Sequence, residues 1–538
     1  MKKVCFLVFL GLATLVSQAA DKVVVLAKMA PVPSFCESFV DLAETYGKNG
    51  VQGAAYAMKI FTEQPTFTDA WDVSRPVALV GILPEGSDEL RGILVLPLKN
   101  LDAVNRMVSK DLKSEEVGEQ TWKVTSKHHN FFARKLGDWF LLSDRVENLR
   151  LNLDVAQVEK RILEPMGTQE LSVSLFVNEI PQNLREKLAR DIQTKILACL
   201  EKQKKQGSQA FVETLKGLFD QAMNRAKAAS FVSPADTLTL VLDEDPTTHT
   251  LALRLEATAP EGSAAARKLS AFARSQVSSL GQFAMEDAMF SCQLALTFPA
   301  LSKNWVKSLH EAHLKDSLAM LKKKVKSAEK ADQVEAFIHR NAPLWRDAFL
   351  APYVNGGLNV VLTDDDALIL WGRTVPDGYA LEEPFRQIVQ YVKENKAEEC
   401  KKHFLSTAAS VEGEWHVYEA VLAPVEKCPL PFFRDKACPT CLLFAPKGVY
   451  FAMGKDARGR LEAYLKSERA KPAEVPAFQA KWSVARLVRA IQTYSPCEAQ
   501  RDAMARFSKE HPALANTNLT FSILPVPNGA ALELKAGP

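Results

Sequence analysis

The chain has 538 residues, 47% hydrophobic and 24% charged, with a formal net charge of +3. Composition and charge of this kind exclude a global electrostatic drive towards nucleic acid or an anionic membrane. No low-complexity tract points to long disorder. The length allows about two to four domains.

The first twenty residues read as a secretory signal peptide. Lys2 and Lys3 form a basic start, Cys5 to Val16 an apolar run, and Ser17-Gln18-Ala19 a small-residue cleavage site. The run is shorter than the roughly 20 residues that span a bilayer, and no later stretch is apolar enough. Cys5 lies inside the run, which argues against a lipid-modified cysteine. The expectation is an exported, soluble protein, periplasmic or extracellular, with no transmembrane segment after cleavage.

An extended arm, "DKVVVLAKMAPV", comes next, followed by two short helical patterns up to about residue 74. From Arg75, "PVALVGILPEGSDELRGILVLPL" reads as a hairpin. Three strands follow between Thr121 and Leu142, and "GDWFLLSDRVENL" runs from strand into helix. "LSVSLFVNEIPQNLREKL" is a strand, then a helix opened by Pro181. A second helix carries Phe211, Leu215, Leu218 and Met223, which predicts an antiparallel helical hairpin.

"DTLTLVLDEDPTTHTLALRLEAT", Asp236 to Thr258, alternates with a period of two. That places Leu238, Leu240, Leu242, Leu251, Leu253 and Leu255 on one face of a strand pair turned near Pro246. A helix and the strand "FSCQLALTF" close this part. Residues 301–352 carry helical spacing and read as a connector.

The figure then repeats. "GGLNVVLTDDDALILWGRTV" is a hairpin, "EWHVYEAVLA" matches "QTWKVTS", and "KGVYFAMGKDARGRLEAYL" matches "GDWFLLSDRVENLRLNL". The last hairpin turns at Asn528-Gly529, a pair that tolerates positive φ. An internal duplication follows. The predicted class is α+β: two related units of antiparallel β-hairpins covered by long amphipathic helices. The predicted divisions are a signal peptide at 1–20, an arm with helices at 21–74, and a first repeat at 75–300. A connector at 301–352 and a second repeat at 353–538 follow, with a cysteine-bearing insertion at about 424–441.

The order of hairpin, "PLKNLDAV" turn, "NEIPQNLREKL", long helices, "LTLVLDEDPTTHTLALRLEAT" and "VYFAMGKDARGRLEAYL" resembles a group of large exported proteins of uncharacterised function. These come from planctomycetes and related bacteria. The resemblance spans most of the mature chain and implies no catalytic residues. The insertion between Ala423 and Cys441 departs from the group's pattern.

Eight cysteines remain after the leader. Cys199 and Cys292 fall on apolar faces and read as small buried residues. Cys36, Cys400, Cys428, Cys438, Cys441 and Cys497 are disulfide candidates in an oxidising compartment. A redox role for the motif Cys438-Pro439-Thr440-Cys441 needs a helix N-terminus, yet a strand pattern follows it. A zinc site would draw on Cys428, Cys438 and Cys441, with His403 or His416 as a fourth ligand, but the spacing matches no known pattern. His310 and His313 share a helix face without a third ligand, and His128-His129 reads as a turn. Asp243-Glu244-Asp245 and Asp364 to Asp366 read as acidic hairpin tips, not calcium loops. No nucleophile elbow, phosphate loop or dinucleotide fingerprint occurs.

Three functions are weighed. The first is a non-enzymatic binding or scaffolding role in the envelope, with an envelope protein as partner. The second is a carrier of apolar, lipid-like ligands between sheet and helix layers. The third is a thiol–disulfide oxidoreductase using Cys438 and Cys441. No cofactor, metal or nucleic-acid partner is expected.

Overall fold

The computed structural model describes residues 22–35, 69–84, 89–100, 113–125, 130–149, 169–182, 236–245, 247–297, 328–349, 353–362, 367–395, 404–424, 436–495 and 497–537. It also describes scattered residues of the helical stretches between them. The leader at 1–20 and most of the expected helical hairpin and cysteine insertion lie outside the described residues. The chain divides into two units: Met1–Asp191, Ala228–Leu269 and Val526–Pro538 form one, Ile192–Lys227 and Ser270–Pro525 the other.

The first unit contains β1 (Lys22–Met29), β2 (Val77–Leu83), β3 (Arg91–Leu96), β4 (Lys113–Gly118), β5 (Thr121–Thr125), β6 (Asn130–Leu136) and β7 (Trp139–Ser143). It continues with β8 (Gln169–Phe176), β9 (Thr237–Asp245), β10 (Thr250–Thr258) and, from the chain's end, β22 (Gly529–Gly537). Every pairing is antiparallel, in the spatial order β4-β5-β6-β7-β3-β2-β1-β8-β9-β10-β22. Leu26, Val80, Ile82, Ile93, Val95 and Trp139 pack on one face of this sheet. Leu98, Val124, Ala133 and Phe140 form a separate cluster. The alternation along β7, where Trp139 joins the first cluster and Phe140 the second, is the period of two made visible.

The second unit contains β11 (Gln276–Ser278), β12 (Phe290–Thr297), β13 (Tyr353–Leu362), β14 (Ala367–Thr374), β15 (Phe404–Glu412), β16 (Trp415–Leu422) and β17 (Cys438–Ala445). Then come β18 (Gly448–Gly454), β19 (Ala473–Val475), β20 (Phe478–Ser483) and β21 (Asn518–Val526). Its main sheet runs β15-β16-β17-β18-β14-β13-β12-β20-β21, antiparallel throughout. β11 and β19 pair separately. Helix α1 spans Ala328–Phe349, α2 Gly378–Asn395 and α3 Ala457–Lys466. Leu381 of α2 packs with Phe444 and Val449, whereas Leu461 of α3 packs with Cys441, Leu443 and Ala452. The two helices therefore cover opposite faces of β17 and β18.

Each unit lays its strands in one order, position for position: β4 to β9 in the first correspond to β15 to β21 in the second, through the same hairpin crossings. The second set begins at β12, as the first begins at β1. Phe290–Thr297 thus heads the second set, and the helical residues of 301–352 lie between β12 and β13, as 30–74 lie between β1 and β2.

The α+β class is overturned. Strand exceeds helix, 46% to 34%. Among the described residues helices α2 and α3 lie over β17 and β18, but no long helix covers β10, whose Leu253 and Leu255 stay exposed. Several strands instead bury both faces among themselves and their neighbours, as β2 and β13 do. Such strands read as continuous apolar runs without the alternation of a half-exposed strand.

A strap from Gln276 to Met289 crosses the second sheet, held by three buried amides. Asn355 Oδ1 accepts from Ser278 Oγ at 2.9 Å. Gln293 Oε1 accepts from the Phe283 amide at 3.0 Å, and its Nε2 donates to the Gly281 carbonyl at 2.6 Å. Asn359 Oδ1 accepts from the Met285 amide and its Nδ2 donates to the Phe283 carbonyl, both at 2.8 Å. Phe283 is fully buried against two strand glycines. A Cβ at Gly357 would fall 2.2 Å from its ring, and one at Gly372 2.9 Å. Glycine at both positions makes room for the ring.

Candidate functional site

The hairpin leucines form cross-strand rows over β8, β9, β10 and β22. One row is Leu171, Leu242, Leu253 and Leu534; the next is Val173, Leu240, Leu255 and Leu532. At the β8 end the rows are covered: Val173 and Leu175 pack with Leu184, Val24, Val25 and Leu83. Burial fades across β9 and is lost on β10 and β22. Leu253 and Leu255 are each 43% exposed, Leu532 40% and Leu534 41%.

The other face of the same strands carries the charged side chains. Glu533 is buried there beside Val241, Ala252 and Ala531. Arg254 reaches Glu256 at 3.2 Å, Glu533 at 3.3 Å and Asp243 at 3.5 Å, and Lys535 reaches Glu533 at 3.2 Å. The turns fix this orientation. Asp245 accepts from the Thr247 amide at 2.9 Å and from Thr248 Oγ1 at 2.7 Å, and these bonds lower its carboxyl pKa. Asn528 takes φ 57°, and a Cβ on Gly529 would lie 2.2 Å from the Ala257 carbonyl oxygen. The acidic segment at 243–245 therefore serves turn and ion pair, while Asp364 to Asp366 lie outside the described residues. Covering the exposed parts of the four leucines is worth on the order of 3 kcal/mol.

Beside this polar face, buried Glu170 accepts from Ser38 Oγ at 2.7 Å. Burial raises its pKa, aided by neighbouring Asp243, against the Ser38 bond. The folded protein thus holds the proton more tightly than the unfolded chain, whose carboxyl titrates near 4.5. Stability contributed by this group is present below that value and falls as pH rises through the folded pKa. Glu170→Gln is expected to raise the melting temperature at neutral pH and to flatten its decline above about pH 4.5 in calorimetry. An unchanged profile would contradict this.

Cys438 and Cys441 open β17 and do not precede a helix. Three residues apart on a strand, they face opposite sides of the sheet. Cys438 packs with Ala367, and Cys441 with Leu370, Leu443 and Leu461. Such thiols do not bond to each other, and Cys441 is a free cysteine. Burial pushes its pKa up to about 12, opposite to what a redox nucleophile needs. At pH 8, dithionitrobenzoate is therefore expected to label exposed Cys497 and leave Cys441 unreacted in the folded protein. Equal rates at the two would contradict the burial of Cys441. Cys497 and Cys292 are also free; Cys36, Cys199, Cys400 and Cys428 lie outside the described residues.

His416 belongs to a different constellation. Its Nδ1 lies 2.6 Å from Glu382 Oε2, and Tyr418 Oη donates to Glu382 Oε1. Tyr379 stacks on the imidazole with centroids 4.5 Å apart. Burial and the Glu382 carboxylate raise the Tyr418 pKa. Histidine and carboxylate paired this way suit proton transfer. Among the described residues no serine, threonine or cysteine bonds to His416, so the pair's visible work is to give buried Glu382 two donors. His403, His313, His128 and His129 lie outside the described residues. No group of three or more potential metal ligands occurs among the described residues, nor any helix long and apolar enough to cross a membrane.

Two features escape the sequence. Two-residue spacing puts His416 and Tyr418 on one strand face, but nothing in the chain announces Glu382 as their partner. The alternation of β9 and β10 identifies the leucine face without saying that it stays open. No family model, curated protein or solved structure matches the chain.

Proposed function

We propose that this is a non-catalytic binding protein whose first unit docks a partner protein through the leucine face of β10 and β22. The observation that carries the reading is four leucines in cross-strand register, each at least two-fifths exposed. An open sheet face is suited to another protein's apolar surface, because small ligands need concave sites that enclose most of their area. The signal-like first twenty residues and the resemblance to exported proteins favour an envelope partner. The test is a photo-cross-linking residue at position 255, used in extract from the native envelope. A discrete cross-linked species is expected, abolished by Leu534→Lys and retained in Lys447→Ala on the second unit. Absence of a cross-link, or one indifferent to Leu534→Lys, would overturn the reading.

A second reading, an apolar-ligand carrier, is favoured by a cleft of about 460 Å³ in the second unit. Leu314, Leu318 and Ala319 line it, with Glu311 and Lys315 beside them and Glu335 and His339 of α1. The volume lies within the range of ligand sites. Lipid co-purifying with the protein and displaced by Leu318→Trp would favour this reading over the first; none would count against it.

A further inference from the structure

Two end strands, β4 of the first unit and β15 of the second, each paired on one side among the described residues, are built differently. β4, "KSEEVG", carries Lys113, Glu115 and Glu116 and is broken by a bulge between Glu116 and Gly118. Charge and a bulge are the usual guards of an open sheet edge. β15, "FLSTAASVE", has one charge in nine residues, at its end, and no proline. It pairs with β16 alone among the described residues, and its bulge at Phe404/Ser406 leaves residues 406 to 412 as a regular ladder. Eight of the nine residues are exposed; Leu405 is 59% and Val411 68% exposed. Among the described residues the outer row of backbone donors and acceptors thus has no strand partner over seven residues.

We infer that β15 is a self-association edge: two copies of this chain pair β15 with β15 antiparallel about a two-fold axis at Ala409. The regular ladder is nearly palindromic in side-chain character. Centred on Ala409, Thr407 falls opposite Val411 of the second copy, so β-branched residues pair and Val411 is covered. Ala408 falls opposite Ser410, and Ser406 opposite Glu412, a hydroxyl beside the one carboxylate. No like charges meet. Cross-strand pairs of these kinds stabilise an antiparallel ladder, and a two-fold contact must be self-complementary in this sense. The same operation on β4, centred on Glu115 or on Glu116, would set that glutamate against its own copy, which is why the second copy joins at β15. A heterologous strand would gain nothing from the palindrome.

Sedimentation velocity of the full chain over a concentration series tests the inference, using wild type, Ala409→Lys, Ala409→Glu, and the two variants mixed in equal amounts. Ala409 is exposed and faces Tyr418 within its own sheet, so neither change disturbs the core. Wild type is expected to dimerise reversibly. Each variant alone sets like charges on the axis, and its dissociation constant rises by more than about tenfold. The mixture recovers the dimer, because lysine then faces glutamate; a merely misfolded variant would not recover. A monomeric wild type, variants that still dimerise, or a mixture that stays monomeric would each overturn the inference. Persistence of the dimer in both variants would place self-association on another surface, such as the leucine face.

Discussion

Phe283→Ala is expected to destabilise the second unit by about 3–5 kcal/mol, the cost of emptying a large buried aromatic site. The ring is 0% exposed and packs edge-on to Tyr464 at 4.9 Å. Beneath it are Gly357 and Gly372, which have no side chains with which to collapse into the space. Relaxation is therefore limited, and the upper half of the range applies. A unit of this size loses about 2–4 °C for each kcal/mol, so a fall of roughly 10 °C in its calorimetric transition is expected. A fall under about 3 °C would mean that the ring does not anchor the strap.

Asn359→Leu is the second large effect, for a different reason. Leucine has a similar volume, so little packing is lost. The Met285 amide and the Phe283 carbonyl lose their partner in a buried site, at about 1–3 kcal/mol each. The expected loss is about 2–4 kcal/mol, and hydrogen exchange at the Met285 amide should accelerate together with the global transition. Full retention of protection at Met285 would contradict the assignment. Because Phe283 and Asn359 hold one segment, the double variant should lose less than the sum of the two.

The parts of the fold legible in the sequence are those set by local pattern. Alternation fixes the strands of the 237–258 hairpin and the shared face of its leucines. Asn528-Gly529 fixes the last turn, and the likeness of "GDWFLLSDRVENL" to "KGVYFAMGKDARGRLEAYL" aligns β7 with β18. The class is not legible, because apolar helical spacing invites amphipathic cover, whereas β2 and β13 bury residues on both faces and lose the alternation that marks a half-exposed strand. The second repeat's start is hidden for a related reason. "FSCQLALTF" and "KVVVLAKM" share strand character but not sequence, and only their pairing with β13 and β20, or β2 and β8, identifies them as counterparts. The strap is illegible because Gln293, Asn355 and Asn359 are ordinary strand polars until a segment is laid over them. A bond between Cys438 and Cys441 is excluded because the strand turns the two thiols to opposite faces, which the spacing alone does not say.

The strap, the ion-paired arginine and the leucine rows divide the work between the units. The second is pinned inward by buried amides, and the first turns apolar side chains outward. Carbene footprinting of the isolated protein at Leu253, Leu255, Leu532 and Leu534 tests that outward face most directly. Heavy modification of all four, far above that of Leu368 at 1% exposure, is the expected result. Labelling of these leucines no stronger than that of Leu368 would mean the face is already covered, and would contradict its role as a docking surface.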